Sequence, residues 1–304
     1  MEHRAGLAAT VPTAFPSPTG RPSMADLDDN RPWGLATQAS DFGNVSAIFD
    51  RRAAAWEGKG TVVKVVGNDS PLDGIAPLLA APGKTVIDLG GGNGRALRKL
   101  AGQCLGGTLV LVDISRAMAE EARASLTDIG GVSTVIVVGD ACRNGMQSDG
   151  ADVVILRQVL QHVPDPAAVV REAVRLLKPG GVVAVQVPGA NYLINWAAFS
   201  AHDADSIGRF SLSELTGLLN QPGLTTRMIA TFPFTFIFDN TLDMLKFFQR
   251  ISLIDKLTGY DPTVSRATEL LLAQEVIAKA LAQPFVFEIG GEYLLGIAQK
   301  EGMS

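Results

Sequence analysis

Cysteine and histidine are scarce in this chain of 304 residues, and their scarcity excludes several kinds of site. The two cysteines, Cys104 and Cys142, belong to no CxxC or CxH pair, so we expect no structural zinc site. Two cysteines without a pairing pattern also fit a reducing compartment, which predicts a cytoplasmic protein. The three histidines are His3, His162 and His202, so few side chains are candidates for acid–base chemistry near neutral pH.

Long apolar runs and an excess of positive charge are also missing. Nowhere do about 18 uncharged apolar residues follow one another, so we expect no membrane-spanning helix. The formal net charge is −5, which disfavours nucleic acid as a partner because phosphate binding needs a basic face. Residues 1–40 are rich in Ala, Pro, Ser and Asp and are typical of a flexible leader. No pattern indicates an oligomeric state.

Short apolar runs alternate with helical stretches through the middle of the chain. Five runs are apolar at nearly every position, as in parallel strands covered on both faces: Thr85–Leu89, Thr108–Val112, Thr134–Val138, Ala151–Leu156 and Val182–Val187. The helical stretches between them predict an α/β fold with a doubly wound sheet. Thr225–Phe236 and Glu292–Ala298 bring the expected number of strands to seven, and residues 241–283 form a helical insertion before the last strand.

Helix signals flank this alternation. Asn44–Trp56 has apolar residues at helical spacing behind a capping asparagine, and Pro71–Ala80 is a second short helix. Asp165 and Pro166 are a cap and a first helical residue, which predicts a helix that begins there and leads into the fifth strand.

A glycine loop follows the first strand, with the sequence VIDLGGGNG at residues 86–94. A Walker phosphate loop has a glycine five residues before its Gly-Lys-Thr. The Gly-Lys-Thr of this chain is residues 83–85, and residue 78 is Leu78, so the chain has no such loop here. The glycine loop is not a GxGxxG dinucleotide fingerprint, because Arg95 or Leu97 stands where the third glycine belongs. What remains is a DxGxGxG pattern that ends a strand and opens a helix: Asp88, Gly90, Gly92 and Gly94.

Four further strand-end motifs follow in a fixed order: DISRAM at 113–118, GDA at 139–141, LRQVLQH at 156–162 and KPGG at 178–181. With these motifs, residues 84–188 resemble the class I S-adenosylmethionine-dependent methyltransferases, particularly the small-molecule group related to the ubiquinone-biosynthesis and trans-aconitate enzymes. The resemblance implies a Rossmann-like methyltransferase domain over residues 41–304. Residues 241–283 and the helix Asn44–Trp56 lie outside the core alternation and carry more apolar positions than a free surface needs, so we expect them to form a lid over the acceptor pocket. The resemblance also implies S-adenosylmethionine as cofactor and a small-molecule methyl acceptor.

The resemblance assigns the polar anchors of the cofactor. Asp113, at the tip of the second strand, would accept hydrogen bonds from both ribose hydroxyls, and Ile114 and Met118 would pack on the adenine. Asp140 would accept from the adenine amino group while the Ala141 N–H donates to the ring. The alternatives are a solvated strand-end carboxylate for Asp113 and a turn residue for Asp140.

The methionine end of the cofactor would meet the glycine loop. Gly90 and Gly92 let the backbone approach the ligand, and the Asp88 carboxylate would order the loop near the cofactor's amino group. Arg157 lies where the fourth strand reaches the cofactor, so that its backbone would meet the amino group and its side chain would face the acceptor. An exposed surface residue is the alternative for Arg157.

Methyl transfer from a sulfonium mainly requires alignment and exclusion of water, and a general base only where the acceptor keeps a proton. His162 and His202 are the candidate catalytic residues, although His162 also suits packing at the start of a helix. No carboxylate pattern for a catalytic metal is present. The acceptor atom, whether oxygen, nitrogen or carbon, stays open. So do a non-methylating reaction on the same fold, such as a cyclisation, and a non-catalytic cofactor-binding role.

Overall fold

Strands of the expected β-branched and apolar composition form one sheet. The computed structural model describes residues 45–47, 49–50, 53, 64–68, 70–127, 129–193, 208–239, 243–244, 247 and 287–302, which all belong to one compact unit, residues 33–304. The strands are β1 (Lys64–Gly67), β2 (Thr85–Leu89), β3 (Thr108–Asp113), β4 (Ser133–Val138), β5 (Ala151–Arg157), β6 (Leu177–Pro188), β7 (Leu224–Phe238) and β8 (Phe287–Lys300).

The order of the strands in the sheet is β1-β7-β8-β6-β5-β2-β3-β4. Strands β4, β3, β2, β5 and β6 run parallel to one another, whereas β8 is antiparallel to both β6 and β7. The chain order reverses between β2 and β5, which is the switch point where open α/β sheets bind ligands. The predicted doubly wound α/β sheet is therefore confirmed.

Helices cover both faces because alternate residues of each buried strand point in opposite directions. On one face of the sheet, Leu109 and Leu111 of β3 belong to a core cluster with residues of the helices that begin at Pro71, Arg95 and Arg116. On the other face, Val110 and Val112 belong to a second core cluster with residues of the helices that begin at Pro166 and Leu212. Burying each such side chain contributes about 2 kcal/mol. The helices are α1 (Pro71–Leu79), α2 (Arg95–Leu100), α3 (Arg116–Leu126), α4 (Pro166–Leu176) and α5 (Leu212–Leu219).

Side-chain caps determine where three of these helices begin. Ser115 accepts a hydrogen bond from the Met118 N–H at the start of α3, and Asp165 accepts one from the Ala168 N–H at the start of α4. Ser211 opens α5 with a reciprocal capping box. The predicted cap at Asp165 is confirmed. None of the helices in the described ranges has the length and apolarity needed to cross a membrane.

The sheet has eight strands where the sequence predicts seven. The additional strand, β1, pairs antiparallel with the outer end of β7, Lys64 opposite Ile237, and all four of its residues are exposed. A four-residue edge strand without a buried face has no periodic signal, which is why the sequence did not reveal it.

Two predicted segments fall mostly outside the described residues. The leader 1–40 lies entirely outside them, and of the insertion 241–283 only residues 243, 244 and 247 are described, with Met244 and Phe247 buried. Of the predicted helix Asn44–Trp56, the described residues 45–47 and 49–50 are helical.

Candidate active site

One cavity of about 790 Å³ opens where the parallel strands end. All nine residues predicted to bind the cofactor line it: Asp88, Gly90, Gly92, Asp113, Ile114, Met118, Asp140, Ala141 and Arg157. They come together because parallel strands point the same way and their carboxyl ends meet at one edge. His162 lines the same cavity. His202 lies outside the described residues, so its role stays a prediction.

The glycine loop crosses the end of β3. The N–H groups of Gly90 and Gly91 donate to the Val112 carbonyl at 2.7 and 3.2 Å. Gly90 has φ +71° and Gly92 has φ +55°, a left-handed conformation that side chains disfavour. A Cβ on Gly92 would meet no atom within 4 Å, so the backbone there faces open space in the cavity.

Asp113 ties the glycine loop to the start of α3. Its Oδ2 accepts from the Gly92 N–H and its Oδ1 from the Ser115 N–H, both at 2.8 Å. Burial raises the pKa of Asp113 above its ordinary value, and these two N–H groups partly offset the shift. Each oxygen has a further lone pair, so the carboxylate retains capacity for two more hydrogen bonds.

We expect Asp113→Ala to weaken S-adenosylhomocysteine binding by about 1–3 kcal/mol, because the loop anchors and the charged acceptor are lost together. Isothermal titration calorimetry measures the change. Asp165→Ala is the matched control. The Asp165 carboxylate also accepts a backbone N–H hydrogen bond, at the start of α4, but Asp165 does not line the cavity. Equal losses of affinity in both variants, or none in Asp113→Ala, would contradict this assignment.

Asp88 is buried beside a positive charge. It is 1% exposed, and its Oδ1 has no hydrogen-bond partner among the described residues. The pKa of Asp88 is raised to about 7, mainly by burial; the Arg157 charge lowers it, and the nearby Asp113 and Asp73 carboxylates add to the rise. A ligand ammonium group in the cavity would therefore favour the ionised carboxylate.

The raised pKa of Asp88 makes stability depend on pH. Because the folded protein holds this proton more tightly than the unfolded chain, the stabilisation is complete below about pH 4 and is lost as the pH rises through about 7. The free energy of unfolding should be about 4 kcal/mol lower above pH 7 than below pH 4 as a result. Urea unfolding of the ligand-free protein should show the free energy falling from about pH 5 to about pH 8, and Asp88→Asn should remove most of that fall.

The difference between the two proteins at each pH reports the ionisation of Asp88 together with its electrostatic coupling to Asp113, whose pKa is raised in the same direction. Identical pH dependence in the wild type and in Asp88→Asn would show that Asp88 ionises normally.

Arg157 is directed at the beginning of α1 and is not an exposed surface residue. Its Nη2 lies 3.3 Å from Ser70 Oγ and 3.7 Å from Asp73 Oδ2, and its side chain is 19% exposed. Asp73 also pairs with Lys99. The arginine thus pairs with Asp73 and lowers the pKa of Asp88, which explains its place at the strand end without requiring contact with an acceptor.

The other side of the cavity is formed by the β4 end and by α3. The Asp140 Oδ1 accepts from the Cys142 N–H at 2.8 Å. This bond closes a turn, as expected if Asp140 is a turn residue, and it leaves the second carboxylate oxygen available to a ligand. Ala141 and Met118 are buried and Ile114 is half-buried. The side chains of Ile114, Met118 and Ala141 make this part of the cavity wall apolar, which suits a planar ring.

Residues 45–47 and 49–50, which are helical, pack over this part of the cavity through contacts that the sequence did not indicate. The Asp50 Oδ1 accepts from the Ser115 hydroxyl at 2.6 Å and from the Ala117 N–H at 3.0 Å. The Ser46 hydroxyl donates to the Ile114 carbonyl at 3.2 Å. Phe49 makes an edge contact with His162, their ring centroids 5.3 Å apart. This segment therefore covers the predicted cofactor residues as well as His162.

Aromatic side chains line the remaining part of the cavity: Tyr192, Phe236, Phe247 and Tyr293. The Tyr293 hydroxyl donates to that of Tyr192 at 3.3 Å. Arg209 donates from Nε to the Tyr192 carbonyl at 2.7 Å and so holds the backbone that carries this tyrosine. Tyr293 lies in the last strand, and no local signal in the sequence distinguishes it from a core residue.

The residues present fit S-adenosylmethionine. The buried Asp88 Oδ1 without a described partner, the open space at Gly92 and the spare lone pairs of Asp113 are what a ligand with an ammonium group and ribose hydroxyls requires. Among the described residues, no group of three or more His, Cys, Asp or Glu side chains is placed to hold a metal ion.

Comparisons with known proteins agree with this site. A family model described as "Methyltransferase domain" matches residues 87–185. The ubiquinone biosynthesis O-methyltransferase of Thiobacillus denitrificans is 30% identical over 197 residues, which are 59% of this chain and 82% of that protein. The enzyme of the same name from Ralstonia nicotianae is 29% identical over 58% of this chain and 78% of its own length.

Solved structures show the same fold. A putative methyltransferase from Bacillus halodurans matches with a TM-score of 0.54 and 21% identity over 75% of this chain and 98% of its own. The [4+2]-cyclase SpnF matches with a TM-score of 0.55 and 16% identity over 88% of this chain and 98% of its own. At these identities the likeness concerns the fold alone.

The chain belongs to the class I S-adenosylmethionine-dependent methyltransferases, and it transfers a methyl group from that cofactor to a small molecule.

Proposed function

We propose that this enzyme methylates a hydroxyl oxygen of a small, partly apolar organic molecule and that His162 accepts the hydroxyl proton. The observation that carries the proposal is that His162 shares one cavity with the cofactor residues and with an aromatic wall. The two ubiquinone biosynthesis enzymes that match over most of their length are O-methyltransferases by name, which supports oxygen as the acceptor atom.

The cofactor would be held at both ends by residues of the cavity. Asp88 would pair with its ammonium group and Asp113 with its ribose hydroxyls, while Asp140 and Ala141 would contact the adenine. The bound cofactor supplies a methyl group on a sulfonium, which is a good leaving group. The protein therefore contributes mainly by holding the acceptor oxygen in line and by excluding water.

A hydroxyl is a weak nucleophile while it keeps its proton, and a neutral imidazole removes that proton at ordinary pH. His162 lies in the short 3₁₀ turn Leu160–His162 that follows β5, not at the start of a regular helix. The turn brings the imidazole to the cavity wall directly after the strand that carries Arg157.

Incubation with methyl-labelled S-adenosylmethionine and a panel of hydroxylated metabolites tests the proposal. We expect one substrate to gain a single methyl group on oxygen, as read by mass spectrometry and by the chemical shift of the new methyl. Methylation on nitrogen or carbon would contradict the oxygen assignment. Consumption of a substrate without gain of a methyl, as in a cyclisation, would contradict the proposed reaction as a whole.

A further inference from the structure

Two glutamine side chains form a pair on the wall of the cavity beside His162. The Gln161 Nε2 donates to the Gln158 Oε1 at 2.9 Å, and both residues line the cavity. Gln161 is 6% exposed and Gln158 is half-buried. Two of their polar atoms, Gln158 Nε2 and Gln161 Oε1, are buried without a hydrogen-bond partner among the described residues.

The backbone at Gln158 is strained. Its φ is +59°, one of three non-glycine residues in the described ranges with positive φ. The Gln158 N–H donates to the Gln186 carbonyl at 2.9 Å, which anchors the residue between the end of β5 and the following 3₁₀ turn. Such strain persists only where the surroundings impose it, and it is concentrated at functional sites.

The unpaired atoms define what a ligand must offer. The side chains make one hydrogen bond between themselves and leave one amide nitrogen, Gln158 Nε2, and one amide oxygen, Gln161 Oε1, without a partner among the described residues. Turning both amides by 180° again leaves one donor and one acceptor. Buried polar atoms without partners are unfavourable. A ligand that pairs with both of these amide atoms therefore gains more binding free energy than it would from hydrogen bonds to water-exposed groups. Both amides are uncharged, which favours a neutral partner.

We propose that Gln158 and Gln161 select the methyl acceptor by pairing with a hydrogen-bond acceptor and a hydrogen-bond donor that lie side by side on a neutral, planar molecule, as in a carboxamide or a lactam. The aromatic wall of Tyr192, Phe236 and Tyr293 supplies the flat apolar surface that such a molecule needs. This inference rests on the proposed function, because it assigns the glutamines to the acceptor of that reaction.

Three probes of nearly equal shape test the pair: benzamide, which offers both groups, acetophenone, which only accepts, and α-methylstyrene, which offers neither. Their affinities are measured by ligand-observed NMR on protein saturated with S-adenosylhomocysteine. We expect benzamide to bind about tenfold more tightly than α-methylstyrene, with acetophenone between them. Gln158→Met and Gln161→Met, which keep the side-chain length, should each reduce this preference, and the double variant should abolish it.

Gln103→Met is the matched control. Gln103 Oε1 is also buried without a partner among the described residues, but Gln103 does not line the cavity, so the preference should be unchanged. Calorimetry with S-adenosylhomocysteine separates two failures. If the wild type does not bind it, the proposed function falls and this inference with it. If it binds but benzamide is not preferred, or the preference survives in the double variant, only the glutamine assignment is wrong.

Discussion

His162→Ala should lower kcat for methyl transfer to a hydroxyl by about 10²–10⁴ while the Kd for S-adenosylhomocysteine changes by less than about twofold. The reason is that His162 lines the cavity without belonging to the glycine loop or to the strand-end carboxylates that would hold the cofactor. Loss of the base leaves alignment and desolvation to promote the reaction. Single-turnover rates on the identified substrate, measured across pH, are the appropriate readout.

The pH dependence of the rate distinguishes a catalytic role of His162 from a structural one. The wild-type rate should rise with pH as the imidazole loses its proton, and the variant should lose that limb while keeping its folding transition. His202→Ala addresses the rival histidine. If that variant loses the rate while His162→Ala keeps full kcat, the base has been assigned to the wrong residue. If both keep full kcat, histidine base catalysis is wrong and proximity carries the reaction.

Gly90→Ala should destabilise the fold by roughly 2–5 kcal/mol and prevent cofactor binding at micromolar concentrations. The φ of +71° disfavours any side chain by about 1–2 kcal/mol. The new Cβ would also lie 2.6 and 2.9 Å from the two methyl groups of Val159, and such overpacking costs about 1–3 kcal/mol. Thermal unfolding and calorimetry with S-adenosylhomocysteine measure the two effects.

Gly83→Ala is the matched control for Gly90→Ala. Gly83 has a φ of +74°, but a Cβ there would meet nothing within 4 Å, so only the backbone strain of about 1–2 kcal/mol is expected. Adding Val159→Ala to Gly90→Ala should recover part of the stability, because it removes the methyl groups that clash. Equal destabilisation by Gly83→Ala and Gly90→Ala, or no recovery in the double variant, would refute the steric explanation.

The cofactor half of the site was largely predictable from the sequence. The DxGxGxG loop and the residues that end successive strands, such as Asp113 and Asp140, each carry a local signal, and parallel strands bring their ends to one edge. The individual roles of these residues remain predictions. The acceptor half was not predictable in the same way. No sequence motif singles out Gln158, Gln161 or Tyr293. Their relevance to the site became visible only when the structure showed that they line the same cavity.

Arg157 illustrates where local reasoning ends. The sequence placed it correctly at the end of a parallel strand that lines the cavity, but did not indicate the direction of its side chain. Its partners, Ser70 and Asp73, lie more than 80 positions earlier in the chain, at the start of a separate helix. Asp50 is a second example, because its carboxylate accepts hydrogen bonds from Ser115 and Ala117, which lie 65 and 67 positions later in the chain.

The sequence by itself determined the succession of strands and helices, the cap at Asp165, the glycine loop and the family. Each of these is decided within a few neighbouring residues by backbone conformation, capping and apolar periodicity. Only the tertiary structure decided the raised pKa of Asp88, the strained Gln158, the paired amides and the edge strand β1. These depend on burial and on contacts between distant segments, which exist only once the chain has closed around the sheet.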